Sequence, residues 1–262
     1  MRILMFGDVV GEAGCDCFCR YAPKLKRDYR ADVIVVNGEN SAKGNGITPQ
    51  SAEMLFSGGA DVITTGNHCF RRKCDSLFAR DRILRPANYP EGAPGTGVIE
   101  LDLGAHSLAV INLMGTAFMD ALDNPFAVID RILSGLQSRC ILVDFHAEAT
   151  AEKRAMGWYL AGKVSALIGT HTHVQTADEE ILDGKTGYLT DVGMVGGARS
   201  VLGVRPELAI EKQRFKLPVQ FEEAAAPCNL NAAFLEIESK TGICNKIERI
   251  FMRDSTNYSR TY

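Results

Sequence analysis

Several features that would place a protein in a special class are missing from this sequence. None of its apolar runs approaches the eighteen or more residues of a membrane helix. Residues 1–6 lead into Gly7 and Asp8 without the pattern of a cleavable secretion signal. We therefore expect a soluble, cytoplasmic protein.

Long runs of one charge are also missing. The 262 residues carry a net charge of −3, and no stretch of five or six like charges occurs. Nothing in this charge pattern suggests a general electrostatic attraction to nucleic acids or to anionic membranes. A small substrate that is recognised locally fits this composition better.

The eight cysteines show no Cys-x-x-Cys spacing, which zinc and iron–sulfur sites usually have. Without a secretion signal, and with a chain long enough to build a hydrophobic core, we predict no disulfide. On the helix expected at Cys15, Cys17 and Cys19, the first and third share a face and the second points elsewhere. We interpret the three as buried or half-buried thiols.

Apolar runs alternate with helical segments along the chain, which is typical of an α/β fold with strands covered on both faces. No repeat or linker interrupts the pattern, so residues 1–262 are predicted to form a single domain. Strands are predicted at residues 2–6, 32–36, 61–65, 97–103, 108–113, 140–145, 164–168, 230–237 and 244–251. The last two flank a turn, which favours antiparallel pairing and hence a mixed sheet.

Two further segments have a clear local interpretation. Thr48 and Pro49 predict the start of a helix that ends at Gly58 and Gly59. Residues 198–226, with mixed charge and two prolines, are expected to run over the surface as an ordered excursion.

Metal-binding types of side chain directly follow five of the predicted strands. They are Asp8, Glu39 with Asn40, Asn67 with His68, His146, and His171 with His173. Since the carboxyl ends of the strands in an open α/β sheet form the rim where sites are built, we expect these residues to meet at one edge.

Any one of these residues has an ordinary explanation as a helix cap or a half-buried polar group, but the set favours a metal centre. The spacing of His171 and His173 puts two imidazoles on one side of an extended segment. Together with carboxylates, they match the preference of borderline transition metals. The ligand candidates are Asp8, Glu39, Asn40, Asn67, His146, His171 and His173. Because these seven exceed the number of ligands that one catalytic ion takes, two ions are predicted.

Two ions about 3.5–4 Å apart would polarise the oxygens of a phosphoryl group and activate a hydroxide for in-line attack. The sequence does not choose between hydrolysis of phosphodiesters and of phosphomonoesters. A metal-bearing regulatory protein with only slow hydrolysis is a third hypothesis. Base rates among small α/β enzymes favour a homo-oligomer.

His68 directly follows Asn67, so in an extended segment its side chain points away from that ligand and toward a leaving group. We predict that it is the general acid. The alternative is a histidine that orients a ligand or the phosphate without transferring a proton. His106, at a turn between two strands, is interpreted as a surface residue.

The motifs Gly7-Asp8, Asn37-Gly38-Glu39-Asn40, Gly66-Asn67-His68 and Gly169-Thr170-His171-Thr172-His173 resemble the calcineurin-like metallophosphoesterases. More closely, they are similar to the YmdB branch of that superfamily. Residues 84–90, 144–150 and 190–194 also resemble this branch, so the similarity covers nearly the whole chain.

The resemblance implies a sandwich of mixed β-sheets flanked by α-helices, with the site at the carboxyl ends of the strands. It implies a dinuclear centre of iron, with manganese as the alternative, and phosphodiesterase activity on cyclic nucleotides of the 2′,3′-cyclic or cAMP type. By position, one ion is assigned to Asp8, Asn40 and His173, and the other to Asn67, His146 and His171. Glu39 is assigned as the bridge and His68 as the proton donor.

The chain departs from the broader superfamily at two positions, and the YmdB branch shares both departures. Val10 stands where many members have the histidine of an Asp-x-His motif, and Glu39-Asn40 replaces the usual bridging aspartate segment. Cys69 and the basic run Arg71-Arg72-Lys73 also differ from the broad pattern, which leaves the substrate preference near His68 open.

Overall fold

The structure is a computed structural model that describes residues 1–254 as two β-sheets packed face to face, with helices on their outer faces. The strands of the first sheet are β1 (Arg2–Phe6), β2 (Asp8–Val9), β3 (Val33–Asn37), β4 (Val62–Thr64), β5 (Ile83–Leu84), β12 (Met194–Gly197), β13 (Cys228–Ile237) and β14 (Cys244–Arg253). Those of the second are β6 (Val98–Asp102), β7 (Ser107–Met114), β8 (Cys140–His146), β9 (Ala166–Thr170), β10 (Glu180–Leu182) and β11 (Thr186–Leu189). The helices are α1 (Gly11–Asp28), α2 (Pro49–Ser57), α3 (Pro125–Gly135), α4 (Thr150–Leu160) and α5 (Pro206–Phe215), with a 3-10 helix at Asp75–Ala79.

Both sheets are mixed, as predicted. In the first, β1, β3, β4 and β5 run parallel, while β13 is antiparallel to β1, β12 and β14. In the second, β7, β8, β9 and β11 run parallel, and β6 and β10 close the edges in antiparallel pairing. The parallel strands bring their carboxyl ends to one end of each sheet.

The alternation of side chains along β1 shows how the layers pack. Ile3 and Met5 point into the core between the two sheets, and Leu4 and Phe6 point into the core under α1 and α2. The ring of Phe6 meets that of Phe18 on α1 edge to face, with the centroids 5.0 Å apart. A third core lies between the second sheet and helices α3 and α4. The expected sandwich flanked by helices is confirmed.

Most predicted elements are present with small changes at their ends. Thr48 caps α2, and its hydroxyl oxygen accepts the backbone N–H of Ser51 at 3.2 Å. The predicted hairpin is the β13–β14 pair. The segment at 198–226 is ordered as expected and contains α5, while the short strands β2, β5, β10, β11 and β12 were not predicted. That the chain forms one domain stays a prediction.

Candidate metal centre and active site

The predicted ligand residues meet at one end of the interface between the two sheets. Asp8, Glu39 and Asn40 come from strand ends of the first sheet and are 0%, 1% and 3% exposed. His146 is the last residue of β8 in the second sheet and is fully buried. The expectation of a single sheet edge was therefore wrong, because two facing sheets each supply part of the set.

The first of two groups surrounds the Nε2 atom of His146. The Oδ1 atom of Asn67 lies 2.9 Å from it, the Nδ1 atom of His171 3.0 Å and the Oε2 atom of Glu39 3.3 Å. One atom from each of Glu39, His146 and His171 lies within 4.8 Å of the other two. These atoms are mostly acceptors, and a single proton cannot satisfy them all, whereas a cation can.

The second group contains Asp8, His173 and Asn40. His173 Nε2 lies 3.1 Å from Asp8 Oδ2 and 3.2 Å from Asn40 Nδ2. Apart from this ring contact, neither buried oxygen of Asp8 receives a well-aligned hydrogen bond from residues 1–254. Because an unpaired buried carboxylate is costly, this group also fits a cation.

Glu39 connects the two groups. Its Oε2 atom faces His146, and its Oε1 atom lies 3.0 Å from Asn40 Nδ2. A carboxylate in this position can bind an ion on each side. The imidazole and carboxylate atoms of both groups and the amide oxygen of Asn67 thus fit divalent transition metal ions, whereas Asn40 turns its amide nitrogen toward His173 and Glu39.

The backbone at the two paired histidines explains how they serve different groups. His171 and His173 have φ angles of 103° and 66°, so both lie in the left-handed region. The extended segment predicted here was wrong, since an extended chain would have put both rings on one side. The bend directs His171 to His146 and His173 to Asp8.

His68 lies at the edge of the centre and is 26% exposed. Residues 67–70 form a turn rather than the predicted extended segment. As a result, His68 Nδ1 reaches Asn40 Oδ1 at 2.8 Å and Glu39 Oε1 at 3.1 Å. Its Nε2 atom has no partner within the described part of the chain, and the ring lines the cleft, so this atom is available to a substrate.

A buried relay fixes the ring of His146. Its Nδ1 atom lies 2.9 Å from the hydroxyl of Thr170, which donates to Oδ1 of Asp144 at 2.7 Å. Burial raises the pKa of Asp144 to about 6. With Nδ1 donating into this relay, the neutral ring would present the lone pair of Nε2 to a bound cation.

The histidines and carboxylates of the centre shift one another's pKa, so that protonated imidazoles balance the carboxylate charge. Burial lowers the pKa of His146, but the carboxylates of Glu39, Asp8 and Asp144 together outweigh burial and raise that pKa to about 9. Burial also opposes ionisation of Glu39, yet His146 and His68 hold its pKa well below the ordinary value. Burial, followed by the charge of His146, lowers the pKa of His171.

A cleft with a volume of about 840 Å³ opens over the centre. Its walls include the exposed Arg71, the half-exposed Phe221 and Glu148. The Oε2 atom of Glu148 lies 2.9 Å from His171 Nε2. Sequence reasoning missed Glu148 and the wall at 219–223, since neither belongs to a spacing pattern typical of a site. The signals for Glu148 were its place two residues after His146 and its position within the run 144–150 that resembles the YmdB branch.

Arg71 and Arg72, in the basic run after His68, make different contacts. The guanidinium of Arg72 donates to the backbone oxygens of Lys43, Gly44 and Asn45 and so holds that loop against the turn. Arg71 makes no side-chain hydrogen bond or ion pair with residues 1–254 and faces the cleft. It is the cationic side chain of the run that a substrate can reach.

The cysteines take no part in the centre. All eight are free thiols. Cys15 Sγ donates to the carbonyl of Ser41 at 3.5 Å and Cys19 Sγ to that of Met54 at 3.2 Å. The thiol of Cys17 forms a hydrogen bond with the thiol of Cys228. These separate contacts agree with the interpretation of buried or half-buried thiols. His106 is exposed, as predicted.

Comparisons with known proteins agree with the fold and the motifs. The family model of YmdB-like proteins matches residues 4–250. The chain is 45% identical to the 2′,3′-cyclic-nucleotide 2′-phosphodiesterase of Bacillus subtilis, over 97% of this chain and 98% of the relative. A crystal structure of a phosphatase from Mycoplasma pneumoniae superposes with a TM-score of 0.93 at 32% identity, covering 97% of this chain and 93% of that one.

A protein from Thermus thermophilus gives a further match, with a TM-score of 0.93 and 37% identity over 97% of this chain and all of that one. Within residues 1–254, the structure has no helix that is long and apolar enough to cross a membrane.

Proposed function

The chain belongs to the YmdB-like family, and we propose that this phosphoric diester hydrolase acts on cyclic nucleotides with the help of two divalent metal ions. One ion is assigned to Asp8, Asn40 and His173 and the other to Asn67, His146 and His171. Glu39 is assigned to both.

One observation carries the proposal, namely that a single buried carboxylate lies between two groups of ligand atoms. Glu39 approaches His146 with one oxygen and Asn40 with the other. A site for one ion would leave the ligand atoms of one group, either those around Asp8 or those around His146, without a cation. The count of ligand atoms and their division into two groups therefore both support a dinuclear centre.

When bound, two ions would supply Lewis acidity for the phosphoryl group and lower the pKa of a nucleophilic water. The protein adds the proton transfer to the leaving group. His68 Nε2 faces the cleft, while its Nδ1 is held by Asn40 and Glu39. This orientation suits the general acid of the reaction.

The cleft also supports a nucleotide substrate. Its volume of about 840 Å³ lies within the usual range for small-molecule sites. Phe221 offers an exposed ring for stacking against a nucleobase, and Arg71 offers a free guanidinium for a phosphate. Because the 45% identical relative is a 2′,3′-cyclic-nucleotide 2′-phosphodiesterase, we propose 2′,3′-cyclic nucleotides as the first substrates to test.

Iron is the proposed native metal and manganese the alternative, because both accept mixed imidazole and oxygen ligands. Metal analysis of protein purified without oxygen tests this choice. Two iron ions per chain support it, and one or no transition metal in active protein overturns the dinuclear proposal.

The substrate class is tested with three kinds of phosphate ester on the metal-loaded protein. We expect hydrolysis of bis-p-nitrophenyl phosphate and 2′,3′-cyclic AMP to exceed that of p-nitrophenyl phosphate by at least about tenfold, equal to about 1.4 kcal/mol of transition-state preference. Preference for the monoester would indicate a phosphomonoesterase. Binding of cyclic nucleotides with little turnover of any ester would indicate a regulatory protein.

A further inference from the structure

A buried ion pair lies beside the centre without contributing a ligand to it. Lys153 Nζ on α4 lies 2.7 Å from Asp191 Oδ2, and the two side chains are 0% and 1% exposed. Because removing two charges from water costs about as much as their attraction returns, such a pair is weak evidence for a role in stability. The carboxylate of Asp191 has further partners besides Lys153.

Asp191 binds the backbone between two ligand histidines. Its Oδ2 atom accepts the N–H of Thr172 at 3.0 Å. Thr172 stands between His171 and His173, whose left-handed backbone angles are uncommon for residues other than glycine. Such conformations persist where the surrounding structure holds them, and the Asp191 carboxylate is such a restraint.

The other oxygen of Asp191 is connected to the opposite ligand segment. Its Oδ1 atom accepts the N–H of Gly193 at 2.8 Å, and the carbonyl of Gly193 accepts the N–H of Asp8 at 3.1 Å. Gly193 has a φ of 83°, and a Cβ at Gly7 would lie 1.9 Å from the Gly193 oxygen. The chain therefore approaches closely here, and one carboxylate restrains both segments.

The geometry points to Asp191 as a positioning residue for the centre, with Lys153 as its counterion. Asp191 holds the segment of His171 and His173 in its bend and fixes its register against Asp8. His173 Nε2 and Asp8 Oδ2, 3.1 Å apart, are the pair whose spacing depends on this restraint. The inference rests on the proposed function in that it takes these residues as metal ligands.

The first test is Asp191→Asn, which keeps the size of the side chain but can accept only one of the two N–H groups. We expect the affinity for Mn²⁺, measured by chelator competition, to fall by roughly 10–100-fold. Asp178→Asn is the matched control, because Asp178 accepts the N–H of Thr190 at 3.2 Å and hydrogen-bonds with Thr176, but makes no hydrogen bond with residues 171–173 or with Asp8. Unchanged Mn²⁺ affinity in folded Asp191→Asn would overturn the inference.

A double variant separates positioning from simple charge pairing. Lys153→Met leaves both N–H acceptors in place, so its loss of Mn²⁺ affinity should be smaller than that of Asp191→Asn. The double variant Lys153→Met/Asp191→Asn buries no charge and tests the idea even where Asp191→Asn does not fold. We expect it to remain roughly 10–100-fold weaker than wild type. Recovery to wild-type affinity would overturn the positioning role.

The thermal midpoint of the metal-free proteins separates the two roles, because a residue that only stabilises the fold would change this midpoint and not the Mn²⁺ affinity. We expect Asp178→Asn to lower this midpoint without changing Mn²⁺ affinity, and Asp191→Asn to change the affinity. Wild-type protein that binds Mn²⁺ tightly but cleaves no phosphodiester would refute the proposed function and leave the positioning of ligands intact. The two failures are therefore distinguishable.

Discussion

The Oε2 atom of Glu39 lies 3.3 Å from the Nε2 atom of His146, and this contact joins two different sheets. Glu39 follows β3 of the first sheet, and His146 ends β8 of the second. Neither sheet carries all of the candidate ligands by itself. The centre therefore depends on the apolar core between the sheets, where Met5 and Leu142 pack in one cluster.

His68→Ala tests the general acid. Since Asn67 and not His68 is the assigned ligand, we expect both ions to remain while turnover of a cyclic nucleotide falls by roughly 10²–10⁴-fold. The loss should be smaller on bis-p-nitrophenyl phosphate, because p-nitrophenolate leaves with little protonation and a ribose alkoxide does not. Steady-state rates on both substrates and metal analysis of the same sample measure this.

Two other results would contradict the acid role of His68. Equal losses on both substrates with intact metal would mean that the ring stabilises phosphate charge. A loss of metal would place His68 among the ligands, which its contacts with Asn40 and Glu39 would then explain.

Thr170→Val tests the relay behind His146. The substitution keeps the shape but removes the hydroxyl between His146 Nδ1 and Asp144. We expect roughly 10–100-fold weaker metal binding, because the ring loses its fixed tautomer and orientation. Thr186→Val is the matched control, since this fully buried hydroxyl donates to the Val164 carbonyl at 2.7 Å, away from the centre. The relay has no such role if the two variants bind Mn²⁺ equally well.

Arg71→Ala tests substrate binding in the cleft. The guanidinium faces the cleft without a partner in residues 1–254, so its removal should not disturb the fold. We expect KM for 2′,3′-cyclic AMP to rise about tenfold, equal to about 1.4 kcal/mol, with metal content unchanged. Lys73→Ala removes another exposed charge of the same run, one that does not line the cleft, and should leave KM as it is. A similar KM for both variants would exclude contact between Arg71 and the substrate.

Replacement of Cys15, Cys17 and Cys19 by alanine tests whether the thiols serve a cofactor. Burial, with nearby charges, raises the pKa of Cys15 to about 12, so this thiol stays protonated and is a poor metal ligand at neutral pH. We expect a loss of stability of about 1 kcal/mol for each methyl-sized cavity, with metal content and turnover retained. Loss of bound iron from the folded triple variant would show that the cluster is a cofactor site.

Much of the fold could be predicted because long apolar runs mark strands, and ligand-type residues mark where they end. The predicted strand at 140–145 differs from β8 only by His146 itself. Short strands such as β2 and β12 carry too few residues for a pattern. The division into two facing sheets followed from the resemblance, since apolar runs do not reveal which strands pair.

The candidate site could be predicted in its ligand types but not in its backbone. Spacing suggested that His171 and His173 point the same way, whereas left-handed angles at both residues separate them. Such angles are uncommon for residues other than glycine, and the Asp191 carboxylate that accepts the N–H between the two histidines stands 19 residues further along the chain. The wall at 219–223 is likewise defined by tertiary packing rather than by any local pattern.

The most direct test of the dinuclear centre is the metal content of Glu39→Ala beside that of wild type, both purified without oxygen and reloaded with the same metal. Because Glu39 contacts both groups, we expect two ions per chain in wild type and loss of both ions in the variant. A folded Glu39→Ala protein that keeps two ions, or a fully active wild type with a single ion, would contradict the dinuclear centre.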